Sequence, residues 1–366
     1  MKKCLWAVLT LLVLSAVCSG CGKKTVSDED YETLIQKNAE TNRSTVLLTI
    51  SGPDGELSVT RDRALYYLAY YERKGLSYKE EQDAYFKSLY GDEYDFWSLT
   101  GSDGDTMQNS YKNAVFSSVV YTEIMYHEAE KEGVTVSDSQ SEKLDSLTEN
   151  FLNNYTLEER ARCGMDYDTI RACYERMFTV SLYENRITAG TVVSEEELSE
   201  LVNSEDYRVY ETDYLFVASK SYDENFKEVA FSEEEYAARE AAILDVYEKA
   251  GEGENMQELQ KQYSDIMTYA TRDFYRTETG IEQDYIDTAM GMEDGEVVML
   301  TVSGGWYVIK LIDSTQIVGY DDAKEAAEET VLNTTVSAFY EELEKEYTVT
   351  KLDAFNDLVM GKVYSK

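Results

Sequence analysis

Residues 296–312 have the sequence EVVMLTVSGGWYVIKLI, two apolar runs separated by Ser303, Gly304 and Gly305. Each run alternates like a β-strand and the glycines favour a tight turn, so this stretch predicts a β-hairpin. Upstream patterns predict a strand over residues 207–218, helical stretches over 233–249, 256–263 and 281–290, and an extended piece near Phe274. This β-α-α-β-α-β-β order predicts a small α+β domain over residues 207–316.

The preceding part of the chain has a mainly helical pattern. A hairpin is predicted over residues 44–60, and helical periodicity continues from there to about residue 203. Capping boxes at Ser137 and Ser194 mark two helix starts. We therefore expect residues 21–206 to form a mainly helical domain.

The last segment, residues 317–366, is expected to pack back on this helical domain. A long amphipathic helix is predicted over residues 321–347, and residues 347–352 alternate like a strand. That strand is expected to pair with residues 46–50. The α+β domain would then be an insertion in the helical one, and the whole chain an α+β protein.

The composition excludes several functions. The 366 residues include 34 Lys and Arg against 72 Asp and Glu, a formal charge of −38 at pH 7. Such an acidic surface repels nucleic acid and anionic lipid head groups. One His and five Cys supply almost no ligands for zinc or haem, so no cofactor and no metal site is expected. The 31 Tyr and 11 Phe are enough to help fill a real core.

The first residues have the features of an export signal. Two lysines precede an apolar run over residues 5–17, which suits a signal peptide and is short for a membrane span. The segment CSGCG at 18–22 resembles a bacterial lipobox, in which the Cys after small residues is lipidated. This resemblance implies a signal peptide over residues 1–20, lipidation of Cys21, and an extracytoplasmic lipoprotein anchored to the cell membrane. An ordinary secreted protein is the alternative.

Two cysteines remain outside the signal peptide and the anchor, Cys163 and Cys173. Disulfides are permitted outside the cytoplasm. Residues 164–168 between them have the pattern of a break between two helices, which could fold the sulfurs toward each other. A disulfide and two part-buried thiols are both compatible with the sequence.

Four phrases carry a family resemblance: YTEIMYHEAEKEGVTVSD at 121–138, QYSD at 262–265, YIDTAMGMEDGEV at 285–297, and TVSGGWYVIK at 301–310. In this order and behind a lipobox, they resemble the PrsA-type foldase lipoproteins. More broadly, they resemble SurA-like chaperones with a parvulin (PpiC-type) peptidyl-prolyl isomerase domain. The resemblance implies a helical chaperone domain with an inserted parvulin-like domain.

The family's catalytic histidines are replaced in this sequence. Parvulins carry one His on the first strand and another on the last, and these places correspond to Tyr214, or Asp213 with a one-residue slip, and to Tyr307. Ile266 stands where the family has an acidic residue or Cys, and the usual double Gly is replaced around residues 270–273. The resemblance therefore implies Tyr214 and Tyr307 at the catalytic positions of a site that lacks most of the family's polar groups.

The apolar groove that accepts a proline ring in the family is retained. The resemblance implies that Phe274, Ile281 and Tyr285 line it, with Met290 beneath. Prolyl isomerisation needs no proton transfer, because its barrier of about 18–20 kcal/mol comes from amide resonance. A desolvated groove that binds the twisted amide lowers that barrier. An active altered site and a degenerate one both stay open.

The resemblance implies an extracytoplasmic, lipid-anchored foldase or chaperone that assists exported proteins, with a degenerate isomerase site. Its partners would be unfolded or newly exported polypeptides, through Xaa-Pro segments, and the membrane, through the lipid anchor. An active prolyl isomerase and a binding lipoprotein without a chaperone role are the alternatives. The tyrosine-rich stretch at 66–71 either lines a cleft for unfolded chains or packs a core.

Overall fold

The computed structural model describes residues 27–102 and 104–361. The first part forms α1 Asp28–Ser44, β1 Val46–Gly52, β2 Gly55–Thr60, α2 Arg61–Glu81, α3 Asp83–Tyr90, α4 Met107–Lys131, α5 Asp138–Leu152, α6 Leu157–Cys163 and α7 Tyr167–Thr188. The middle part forms α8 Glu195–Leu201, β3 Val209–Ala218, β4 Lys220–Tyr222, β5 Glu228–Ala230, α9 Glu233–Gly251, α10 Met256–Gln262, β6 Met267–Tyr275, α11 Gln283–Met290, β7 Val297–Val302 and β8 Gly305–Asp313. The last part forms α12 Tyr320–Leu343, β9 Thr348–Lys351 and α13 Asp353–Asn356. The predicted α+β class is confirmed.

The chain divides into two compact units. The first comprises the described residues before 190 and after 335, and the second comprises residues 190–335, so the second unit is an insertion in the first. It extends beyond the segment 207–316 expected from the sequence. A backbone hydrogen bond and an ion pair accompany the extension: Val318 N–H donates to Tyr207 O at 2.9 Å, and Lys324 Nζ lies 3.3 Å from Glu195 Oε2.

The sheet of the first unit joins the two ends of the chain. Its strand order is β2-β1-β9, and both pairings are antiparallel. Leu48 lies opposite Lys351 and Ile50 opposite Val349. The predicted pairing of residues 347–352 with residues 46–50 is therefore confirmed.

The core of the first unit combines this sheet with the long helices α2, α4 and α7. Side chains that are at most 1% exposed include Leu47, Leu48, Ile50, Leu65, Leu68, Val115, Val119 and Ile170. Helical spacing on α2 places Leu65 and Leu68 on one face, and β1, whose register against β2 shifts between Val46 and Leu48, buries Leu47, Leu48 and Ile50. The capping boxes predicted at Ser137 and Ser194 are confirmed, since each Ser N–H donates to the side chain three residues later at 2.8 Å.

The second unit is built on an antiparallel sheet of order β6-β3-β8-β7. Helices α9 and α10 pack on one face, and α11 packs on the other. The predicted β-α-α-β-α-β-β order is confirmed, with an additional hairpin, β4 and β5, between β3 and α9. The extended piece expected near Phe274 is the end of β6, a strand of nine residues.

Candidate functional site

Alternation along β3 sorts its side chains between the two faces of the sheet. Leu215 and Val217 pack with α9 and α10, on what we call the apolar face. Tyr210 and Tyr214 pack with α11, on what we call the tyrosine face. Asp213 lies between Thr212 and Tyr214, so its side chain belongs to the apolar face, where it acts on the pKa of Tyr269. Tyr214, and not Asp213, therefore lies on the side of the sheet that α11 covers.

The six side chains implied by the resemblance belong to one cluster on the tyrosine face. They are Tyr214, Phe274, Ile281, Tyr285, Met290 and Tyr307. Ring centroids lie 5.4 Å apart for Tyr214 and Tyr307, 5.2 Å for Tyr285 and Tyr307, and 5.9 Å for Tyr214 and Tyr285. All three pairs meet edge to face, the arrangement that aromatic quadrupoles favour. The strand register explains the meeting, since Tyr214 lies opposite Ile309, two residues from Tyr307.

Burial divides this cluster into a base and a surface. Tyr285 is 0% exposed and Phe274 is 1% exposed, so these two rings form the base. Tyr214, Ile281, Met290 and Tyr307 are only partly buried and form the surface above them. A ligand at this face would therefore contact the surface residues, and the rings of the base support those residues from below.

A hydrogen-bond chain fixes the base of the face. Thr212 Oγ1 donates to the carbonyl of Arg272 at 2.9 Å and lies 2.8 Å from Tyr285 Oη. Because the Thr212 proton is used on the carbonyl, the Tyr285 hydroxyl donates to Thr212. Burial raises the pKa of Tyr285 to about 12, so the phenol is neutral at physiological pH.

Arg272 is a site residue that the sequence reasoning missed. Its guanidinium carbon lies 4.8 Å from the ring centroids of both Tyr214 and Tyr285. Its Nη2 donates to Tyr214 Oη at 3.3 Å. The available signal was its position two residues before Phe274, because the period of a strand places both on one face.

The face can bind an apolar ring and donate hydrogen bonds. Tyr214 and Tyr307 supply phenol O–H groups, and Arg272 supplies guanidinium N–H groups. Burial raises the pKa of Tyr307, which keeps its phenol protonated at neutral pH. These donors suit a peptide carbonyl placed next to an apolar side chain.

The two cysteines of the described residues are separate thiols. Cys163 and Cys173 are both free and buried. Cys163 Sγ donates to the carbonyl of Glu159 at 3.3 Å, and Cys173 Sγ donates to that of Asp62 at 3.5 Å. Burial raises the pKa of each thiol to about 12. The sequence was compatible with a disulfide and with two thiols, and the structure has two thiols.

The tyrosine-rich stretch of the first unit is largely packed. The ring of Tyr66 contacts those of Tyr67, Tyr70, Phe151 and Tyr174, with centroids 5.1–6.3 Å apart. Burial raises the pKa of Tyr66 well above its usual value. These contacts make part of the stretch a core element of the first unit.

A cluster of possible metal ligands lies in the first unit. Oxygen and nitrogen ligand atoms of Asp54, His127 and Glu128 lie within 4.8 Å of one another. Lys131 Nζ lies 2.7 Å from Asp54 Oδ2 and 3.0 Å from Glu128 Oε1, so an ammonium group already balances both carboxylates. Tyr347 also donates to Glu128. The cluster ties the β1–β2 turn and the segment before β9 to α4.

The export features predicted from the sequence, the signal peptide and Cys21, lie outside the described residues. Among residues 27–102 and 104–361, every helix is too short or too polar to cross a membrane.

No protein-family model matches the chain, and neither does any curated protein. Among solved structures, it is similar to PrsA of Bacillus subtilis, with 17% identity, a TM-score of 0.22, and coverage of 69% of this chain and 93% of that one. It is similar to the foldase PrsA of Streptococcus pneumoniae, with 16% identity, a TM-score of 0.24, and coverage of 73% and 97%. It is also similar to a SurA-like chaperone of Campylobacter jejuni, with 10% identity, a TM-score of 0.28, and coverage of 84% and 100%. These solved structures are PrsA foldases and a SurA-like chaperone.

Proposed function

We propose that this chain is an extracytoplasmic, lipid-anchored foldase that binds unfolded exported polypeptides and carries a degenerate prolyl isomerase site. The tyrosine face carries the proposal. Tyr214, Ile281, Met290 and Tyr307 are partly exposed there above a fully buried aromatic base. The family phrases in the sequence, with the lipobox ahead of them, support the same function.

The chemistry of the face suits broad binding of polypeptides. Tyr offers a large apolar area with few rotatable bonds, so contact with it costs little conformational entropy. Phenol and guanidinium donors at Tyr214, Tyr307 and Arg272 can hold a peptide carbonyl without selecting a sequence. Residues 21–206 and 317–366 would form the chaperone domain around the inserted segment 207–316, and the acidic surface would limit aggregation.

Peptide binding by the soluble chain from Gly22 onward tests this function. We expect calorimetric titration with a Phe-Pro peptide to give saturable binding that Tyr307→Ala weakens. Tyr222→Ala is the matched control, because Tyr222 is an exposed tyrosine on the β4–β5 hairpin. Equal binding by wild type and Tyr307→Ala would place the site elsewhere. One small solute bound with a thermal shift, and no peptide bound, would favour the non-chaperone lipoprotein.

A working isomerase is the second candidate, and Arg272 favours it. A cation and two phenols next to an apolar groove can stabilise the carbonyl of a twisted amide. Prolyl isomerisation requires such stabilisation, because the twisted amide is its transition state. Uncatalysed relaxation of an Xaa-Pro bond takes about tens to hundreds of seconds. Acceleration by the soluble chain that Tyr307→Phe abolishes would establish this candidate. A rate equal to the uncatalysed one at micromolar protein supports the degenerate site.

The lipid anchor has its own test. Cells expressing the full chain and labelled with a radioactive fatty acid are expected to yield a labelled, membrane-bound protein. Cys21→Ala is expected to abolish the label and the membrane association. Unchanged association would contradict the anchor while leaving the function of the tyrosine face open to the peptide assay.

A further inference from the structure

Arg272 is a cation without a carboxylate partner in the described part of the chain. Its guanidinium group lies over Tyr214 and Tyr285 and donates to the hydroxyl of Tyr214. No Asp or Glu in residues 27–102 and 104–361 forms an ion pair with it. Asp273 follows it in β6, and strand alternation directs that carboxylate to the other face of the sheet.

Carboxylates are abundant in this chain, where acidic residues outnumber basic ones 72 to 34. Neighbouring arginines of the second unit do pair. Arg208 lies 2.6 Å from Glu205, and Arg276, four residues after Arg272, lies 3.1 Å from Asp206. With so many carboxylates available, a partly exposed arginine that has none is positioned to receive one from a ligand.

The guanidinium group of Arg272 suits the carboxylate, which is the anion that a polypeptide supplies. A guanidinium group presents a planar fork of N–H donors that matches the two oxygens of a carboxylate. The rings of Tyr214 and Tyr285 hold the fork and lower the local polarity, which strengthens a charged hydrogen bond. Burial and the charge of Glu282 raise the pKa of Tyr307, and Arg272 offsets part of that rise, so the charge of Arg272 acts at the surface of the face.

We propose that Arg272 makes the tyrosine face prefer polypeptide segments in which a carboxylate lies next to an apolar or prolyl side chain. The carboxylate binds the guanidinium group, and the apolar side chain lies on Tyr214, Ile281 and Tyr307. This preference rests on the polypeptide-binding function proposed above. The carboxylate can come from an acidic side chain or from a chain terminus.

Three peptides of equal length separate these sources. Each has a central Phe-Pro pair. The first has a Glu beside the pair and blocked ends, the second has Gln at that place, and the third has Gln and a free C-terminal carboxylate. Titrations of the chain from Gly22 onward are made at about 0.15 M salt, where charges farther than about 8 Å are screened. We expect the Glu peptide, the free-carboxylate peptide or both to bind about tenfold more tightly than the blocked Gln peptide.

Two variants assign that preference to Arg272. Arg272→Gln is expected to lower the affinity ratio of the carboxylate peptides to the blocked Gln peptide from about ten to about one, and Arg272→Lys to keep part of that ratio. Arg239→Gln is the matched control, because Arg239 also lies on an aromatic ring, that of Phe231 at 3.9 Å, and no carboxylate of the described residues lies within ion-pair distance of it, although its charge acts on Glu235. Circular dichroism checks that the variants are folded.

The possible outcomes distinguish the carboxylate preference from the polypeptide-binding function on which it rests. Equal binding of all three peptides by wild type overturns the carboxylate preference and leaves the polypeptide-binding function standing. A preference that Arg272→Gln and Arg272→Lys both keep overturns the role of Arg272. Failure of every peptide to bind overturns the function and the preference together.

Discussion

The two faces of the sheet in the second unit share the same strands and differ in how completely helices bury their side chains. On the apolar face, Leu215, Val217 and Val308 are 0% exposed beneath α9 and α10. On the tyrosine face, the shorter α11 buries Phe274 and Tyr285 and leaves Tyr214 and Tyr307 partly exposed. Hydroxyls and a guanidinium group lie among the rings of the second face, whereas the buried side chains of the first face carry neither.

This difference indicates which face is available for binding. A closed aliphatic core stabilises the unit through buried apolar area. A partly open aromatic surface with hydrogen-bond donors buries less apolar area and therefore stabilises the unit less. Substitutions on the apolar face should therefore change stability, whereas those at the surface of the tyrosine face should change ligand binding.

The largest contrast is expected from the same substitution on each face. Leu215→Ala removes a fully buried side chain and should lower the free energy of unfolding by about 3 kcal/mol. Leu300→Ala, on the partly buried side of the tyrosine face, should cost about 1 kcal/mol. Urea unfolding followed by the fluorescence of Trp306, which is 5% exposed, measures both. Equal losses would mean that the two faces are equally packed.

Alkaline pH should affect the base of the tyrosine face. The pKa of Tyr285 is raised from 10 to about 12 in the folded state. Its contribution to stability is therefore complete below pH 10 and is lost as the pH rises toward 12. Tyr285→Phe should remove about 2 kcal/mol of this pH dependence. Unfolding titrations at pH 8 to 12 measure it, with Tyr222→Phe as the exposed control; identical curves for wild type and Tyr285→Phe would contradict the burial of this phenol.

Tyr285 is therefore a poor position for a functional truncation. Its side chain is 0% exposed and hydrogen-bonded, so Tyr285→Ala would damage the fold along with any site. The sequence resemblance implied that Tyr285 lines the groove like Ile281, because a sequence pattern does not distinguish residues at the base of a groove from residues at its surface. Substitutions at Tyr307 and Tyr214 are the cleaner tests.

Tyr307→Phe should change binding more than stability. The side chain is partly exposed, so loss of its hydroxyl should change the free energy of unfolding by less than about 0.5 kcal/mol. Loss of one hydrogen bond to a bound peptide should weaken binding by about 2-fold to 10-fold. Calorimetry with the Phe-Pro peptide measures this. A destabilised variant with unchanged peptide affinity would reverse the assignment of the two faces.

The smallest effect is expected at Asp213. Its neighbour Tyr214 packs with α11, so alternation places the Asp213 carboxylate on the opposite side of β3. Asp213→Asn should leave both peptide affinity and isomerisation unchanged. A clear loss in either assay would mean that the one-residue slip, with Asp213 at the family's catalytic position, describes the working site.

Much of the second unit could be predicted from the sequence because its strands alternate clearly. The apolar runs of β7 and β8 and the turn at Gly304 specify the hairpin, and the period of β9 allows its pairing with β1. The β4–β5 hairpin has no such signal. Residues 228–230 are all exposed, and the turn contains Phe226 at φ 59°, a conformation usually marked by Gly or Asn.

The composition of the site was harder to predict than its location. Phe274 and Tyr285 are apolar enough to be recognised, but a charged residue in a strand suggests a solvent-facing position. The strand period places Arg272 on the face of Phe274, and the register of β6 against β3, with Arg272 opposite Thr212, then brings the guanidinium group among the tyrosines. The polar part of the face therefore depends on strand pairing, which a sequence pattern does not specify.

The central claim is that polypeptides bind at the tyrosine face of the second unit. The most direct test is photocrosslinking of the soluble chain with a Phe-Pro peptide carrying benzoylphenylalanine, followed by mass spectrometry of the adducts. If peptides bind at the tyrosine face, adducts form on β3, on β8 and on the segment from Ile281 to Met290, and excess unlabelled peptide suppresses them. Competed adducts confined to the first unit, for example on the exposed Tyr85 and Leu89 of α3, would contradict it.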